Sequence, residues 1–192
     1  TKNRHKVECY MNQTADLTEK TLSREEKYQG SFLSLHVDQV QLPNGRTSFR
    51  EVVEHVDGVA ILALDDRNNV LTVTQYRYVI GKTLLEIPAG KLEPGEDPVA
   101  GALRELKEET GAVPDTFLPM GVTLPSPGCL SERLYLFLAR GLHMESQQLD
   151  EDEFLNVERI PFNEMVHRVM DGEIEDGKTI AAVLKAKVLL DL

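Results

Sequence analysis

The stretch Gly90–Ala112, GKLEPGEDPVAGALRELKEETGA, decides how the rest of the chain is read. It begins as a loop rich in glycine and proline and runs into a short helix. Asp97 is placed to cap that helix. Pro98 is placed to open it, because proline lacks only a donor that would be unpaired there. Gly111 ends it. Residues three and four apart share a helical face, so Glu105, Glu108 and Glu109 crowd together. Val99, Leu103 and Leu106 fall on the other side and are expected to pack inward. Three neighbouring carboxylates repel one another. A hard divalent cation offsets that repulsion, and oxygen-only ligands suit Mg²⁺ better than Zn²⁺.

Taken alone, an acidic run is a solvated helix face, with Lys107 here as a counter-charge. The spacing says more. The stretch reads G-x5-E-x7-R-E-U-x-E-E-x-G-U, with U aliphatic, and the match runs through Gly90, Glu96, Arg104, Glu105, Leu106, Glu108, Glu109 and Gly111. At ordinary residue frequencies this match arises by chance in roughly a few chains per million. It resembles the signature box of the Nudix hydrolases, which cleave a nucleoside diphosphate linked to another moiety. Ala112 departs from the usual Ile, Leu or Val, which affects packing more than chemistry.

The length of 192 residues suits one domain with a short extension, and the hydrophobic fraction of 41% can build a core. A net charge of −11 argues against nucleic-acid polymers and anionic membranes as partners. It does not exclude a small anionic substrate, because bound metal reverses the local field. Two cysteines, Cys9 and Cys129, form no disulfide framework and point to a reducing compartment. No apolar run reaches the roughly 20 residues of a membrane span, and no secretory signal pattern opens the chain. A cytoplasmic protein is expected.

Residues 1–25 read as a polar arm. Residues 26–56 read as a β-hairpin region, with alternating apolar residues on both sides of the Pro43-Asn44-Gly45 turn. Its open edge seeks a partner. Residues 57–192 form the main domain. Val59–Leu64 is a strand buried on both faces, and Val70–Tyr76 is another. After the box come an apolar segment at 118–124, a strand at 134–139, and helices at 162–170 and 179–190. Gly172 to Thr179 fits the phosphate-loop pattern G-x4-G-K-[ST]. It lacks a preceding strand, and three of its four variable positions are acidic. A helix–helix turn with Thr179 as N-cap is expected there instead.

The resemblance implies a fold and a site. The fold is an α/β class Nudix α/β/α sandwich with a mixed sheet, preceded by an N-terminal antiparallel β-sheet region that pairs two copies into a homodimer. Pro127, sixteen residues past Gly111, is the mark of the ADP-ribose pyrophosphatase branch and is expected to shape the floor of the substrate pocket. The metal ligands implied are Glu105, Glu108, Glu109, Glu96 and the Ala89 carbonyl. They would hold two to three Mg²⁺ ions, with Mn²⁺ as a substitute. The catalytic set comprises Glu151 as general base, Glu153 as its runner-up, and Arg104, which holds a box glutamate by a charge-assisted bond. Substrate contacts fall to Arg77 as phosphate clamp, Glu86, Glu132 and Pro127. Arg50 and Glu51 reach the adenine end from the neighbouring subunit. The activity implied is metal-dependent hydrolysis of ADP-ribose to AMP and ribose 5-phosphate. Three rivals stand beside it: a nucleotide-sugar pyrophosphatase of the GDP-mannose type, a triphosphate-cleaving enzyme, and a Nudix domain that senses a nucleotide without hydrolysing it.

Overall fold

The structure is a computed structural model and describes residues 15–149 and 154–191. The catalytic expectations at Glu151 and Glu153 lie outside the described residues.

The core is built on β4 (Gly58–Leu64), whose seven residues are all buried. Alternation along this strand splits the core in two. Ala60, Leu62 and Leu64 face one apolar cluster with Met165 and Val183. Val59, Ile61 and Ala63 face the other, with Ala102 and Leu106. The first cluster is covered by α2 (Phe162–Met170) and α3 (Gly177–Leu190). The second is covered by α1 (Pro98–Thr110). This is the expected α/β/α sandwich.

The central sheet runs in the order β10-β5-β4-β9-β8, where β5 is Asn69–Arg77, β8 Ala112–Thr123, β9 Leu134–Met144 and β10 Leu155–Pro161. Two short strands hang from it: β6 (Lys82–Glu86) pairs with β5, and β7 (Ala89–Lys91) pairs with β4. The β4–β9 pair is parallel and the others are antiparallel, so the sheet is mixed.

Ahead of this body stands an antiparallel sheet of three strands, β1 (Lys20–Gln29), β2 (Leu33–Gln41) and β3 (Thr47–His55). The expected boundary at residue 25 therefore falls inside a strand, and the expected hairpin is the second half of a larger sheet. Every residue of β1 is exposed. The Val53 amide donates to the Cys129 carbonyl at 2.7 Å, and the Ser131 amide donates back to Val53 at 3.0 Å. These bonds tie β3 to the body.

Candidate active site

The α1 helix is capped as its sequence dictates. The Asp97 carboxylate accepts from the amides of Val99 and Ala100, and Gly111 closes the helix in the left-handed region at φ 73°. Its rotation differs from the simple amphipathic expectation. Val99 and Leu103 are 43% and 36% exposed, whereas Glu105 and Glu109 are only 8% and 2% exposed. The buried stripe runs through Gly101, Ala102, Glu105, Leu106 and Glu109. The acidic face is turned inward because it has partners there.

Arg104 is the main partner. Its guanidinium donates from Nε to Glu96 Oε1, from Nη2 to Glu96 Oε2, and from Nη1 to Glu105 Oε1 and Glu108 Oε2, each at 2.9 Å. A fifth bond runs from Nη2 to the Lys91 carbonyl at 3.1 Å. Five donors in a planar fork are thus used on four residues. The Arg104 pair holds Glu96 down to about 2, helped by the Glu93 amide. Glu109 accepts from the Ala89 amide at 2.9 Å. Gly90, between these groups, leaves room for Glu105: a Cβ there would lie 1.9 Å from the Glu105 carboxyl carbon.

These groups line a cleft of about 1150 Å³. Its walls include Ala89, Arg104, Glu105, Glu108, Glu109, Arg77, Glu132 and Lys178. The cleft therefore brings together most of the expected metal and substrate residues. Glu96 stands behind Arg104, and Glu86 stands beneath Arg77. The Glu86 carboxylate is 1% exposed and takes the Arg77 fork at 2.7 and 2.6 Å from Nε and Nη2. Burial alone would push Glu86 up, but Arg77 and Lys178 outweigh it and hold the carboxyl below its ordinary value. Glu86 is therefore a support for two cations. Glu132 lies 3.7 Å from His55 Nδ1, and burial pushes its carboxyl above the ordinary value.

Other expected residues lie elsewhere. Pro127 sits in an exposed turn, and Pro125 lines the cleft. The turn holding Pro127 continues to Cys129, whose carbonyl accepts from the Val53 amide of β3. Arg50 is bound to Glu19 from Nε at 2.9 Å, and neither it nor Glu51 lines its own chain's cleft. Gln148 donates to the Glu108 carbonyl at 3.0 Å, which leads the chain along the end of α1 before the described segment stops at 149.

Lys178 was missed by the sequence reading. It lies within the phosphate-loop-like stretch, which is a turn between α2 and α3. Asp176 caps α3, accepting from the Thr179 amide at 3.0 Å. Thr179 is therefore not the cap. It is buried, and its hydroxyl accepts from the Ile87 amide at 2.9 Å.

The donors offered are all oxygen, which fits a hard divalent cation. Among the described residues no three acidic side chains converge on one ligand point; Glu105 and Glu108 are paired with the same Arg104 nitrogen, and Glu109 with the Ala89 amide. The Glu105, Glu108 and Glu109 carboxylates nevertheless share one cleft wall, with Gly90 making space for the first. The donor set fits the metal.

The NUDIX domain family model matches residues 54–183. A second, described as the nucleoside diphosphate sugar hydrolase N-terminal domain, matches residues 19–53. The chain is 41% identical over 169 residues to an ADP-ribose pyrophosphatase of Bacillus subtilis (strain 168), with 87% of this chain and 91% of that one covered. It is 42% identical over 167 residues to a methanol dehydrogenase activator of Bacillus methanolicus, covering 86% and 90%. A crystal structure of an ADP compounds hydrolase matches with a TM-score of 0.80 at 22% identity, covering 90% of this chain and 94% of that one. At that identity the likeness speaks for the fold.

Proposed function

The chain belongs to the Nudix family, as a pyrophosphohydrolase, and from that premise we propose that it hydrolyses ADP-ribose to AMP and ribose 5-phosphate. The observation that carries this reading is the cleft itself, where the carboxylates of Glu105, Glu108 and Glu109 share a wall with the guanidinium of Arg77. A diphosphate needs both: a place for cations and a cationic fork matched to phosphate oxygens. The likeness to an ADP-ribose pyrophosphatase supports the choice of substrate.

Glu105, Glu108 and Glu109, with the Ala89 carbonyl, would hold Mg²⁺, or Mn²⁺ in its place. Bound there, two to three such ions supply charge neutralisation on the diphosphate and lower the pKa of a bound water. Arg104 orients the carboxylates of Glu96, Glu105 and Glu108. Arg77, steadied by Glu86, binds phosphate oxygen through the Nη1 edge that the Glu86 pair does not use. Glu151 takes the proton of the attacking water, as the new oxygen–phosphorus bond forms and the bridging bond breaks. Glu153 is the alternative base. Glu132, with its raised pKa, lies in the same cleft and contacts substrate. Arg50 and Glu51 reach the adenine end from the second copy of a homodimer. Cys9 and Cys129 fit a reducing cytoplasm.

A nucleotide-sugar substrate of the GDP-mannose type is the second reading, favoured by the family match at residues 19–53. Glu109→Gln tests the shared chemistry. Turnover is expected to fall by about a hundredfold or more, with ADP-ribose still bound. Binding by the wild type without turnover would show a sensor and overturn the proposal.

A further inference from the structure

Lys178 stands outside the roles assigned above, and its setting calls for one. The side chain is only 9% exposed and is paired with two carboxylates, Glu86 Oε2 and Asp176 Oδ1, the latter at 3.0 Å. Arg77 already meets Glu86 with a bidentate fork from the other side. Glu86 thus has its counter-ion without Lys178. Burying a second cation costs desolvation, and a buried ion pair often adds little net stability. An ammonium has three donors, and two are used here. Lys178 and Arg77 also stand at a boundary. Both line the main cleft and an adjoining open chamber of about 430 Å³, whose further walls include Tyr76, Tyr78 and Leu84 of the β5–β6 hairpin. That chamber offers tyrosyl rings and the Asp176 carboxylate beside the two cations. Such a mix suits a phosphorylated sugar, whose faces are apolar and whose rim is hydroxyl.

We propose that Lys178 is a substrate-binding residue. With Arg77 it holds the phosphate on the non-nucleoside side of the diphosphate, and the chamber beyond takes the sugar carried by that phosphate. The proposal rests on the diphosphate reading above and deepens it by naming the residue that reads the sugar-phosphate half.

Calorimetric titration of ribose 5-phosphate and of AMP, with Mg²⁺ present, tests it on wild type, Lys178→Met and Lys178→Arg. Lys178→Met is expected to weaken ribose 5-phosphate binding by about tenfold or more and to leave AMP within about twofold, the scale of one lost charge-assisted bond. KM for ADP-ribose should rise by a similar factor while kcat stays within about threefold. Lys178→Arg should recover most of the affinity. Unchanged ribose 5-phosphate binding in folded Lys178→Met, or an equal loss for AMP, would overturn the proposal. If Lys178→Met fails to fold, Lys178→Gln, which keeps an N–H donor toward Glu86 and Asp176 without the charge, carries the same test. A wild type that binds ribose 5-phosphate through Lys178 yet leaves ADP-ribose intact would support this proposal and overturn the substrate reading.

Discussion

At the scale of single residues, Arg104 does most to organise the cleft wall. It holds Glu96, Glu105 and Glu108 at once. Glu96 reports on that arrangement through pH. Its pKa falls from 4.5 to about 2, first through Arg104 and then through the Glu93 amide. A depressed carboxyl stabilises the fold above its unfolded pKa and loses that contribution as pH falls through the folded value. The wild type should therefore be more stable than Glu96→Gln at neutral pH, by up to about 1 kcal/mol for a partly screened pair. That gap should close between pH 4.5 and about 2. Denaturant melts across this range check it, and parallel curves would contradict it. The box residues were legible because they lie close in sequence at helical spacing. The partnership of Glu86 with Lys178 was not, because the two are 92 positions apart and only the folded chain brings them together.

At the scale of elements, β7 and α1 form one unit. Gly90 on β7 lets Glu105 of α1 lie against the backbone, since any Cβ would overlap the carboxylate at 1.9 Å. Gly90→Ala should displace Glu105 and lower kcat by about a hundredfold, the cost of a misplacement near 1 Å. The overlap is with the end of a flexible side chain, so the melting temperature should move by only a few degrees. A variant with normal turnover would show that Glu105 is not needed where it lies. The same unit marks a limit of sequence reading. Hydrophobic periodicity placed Val99, Leu103 and Leu106 inward, but only Leu106 is buried, on a stripe it shares with Ala102, Glu105 and Glu109, while Val99 and Leu103 face solvent. In β1, KTLSREEKYQ, every residue is exposed, so no buried face imposes an alternation to read. By contrast, β4 was plain because both its faces are covered.

At the scale of the whole molecule, two sheets are joined at the end of β3. The three-stranded sheet shows Leu22, Tyr28 and Phe49 to solvent at 47%, 58% and 65%, and β1 is an open edge. The homodimer proposed above would cover this sheet with a second copy. Light scattering should give twice the chain mass of 21.5 kDa, and a stable monomer at micromolar concentration would refute the dimer. The cleft is where the diphosphate hydrolysis proposed above would take place. Its most direct test is Mg²⁺-dependent hydrolysis of ADP-ribose, GDP-mannose, diadenosine polyphosphates and nucleoside triphosphates by the wild type, with products identified. ADP-ribose is expected to lead in kcat/KM by about tenfold or more and to yield AMP and ribose 5-phosphate. A lead by GDP-mannose or a triphosphate would contradict it.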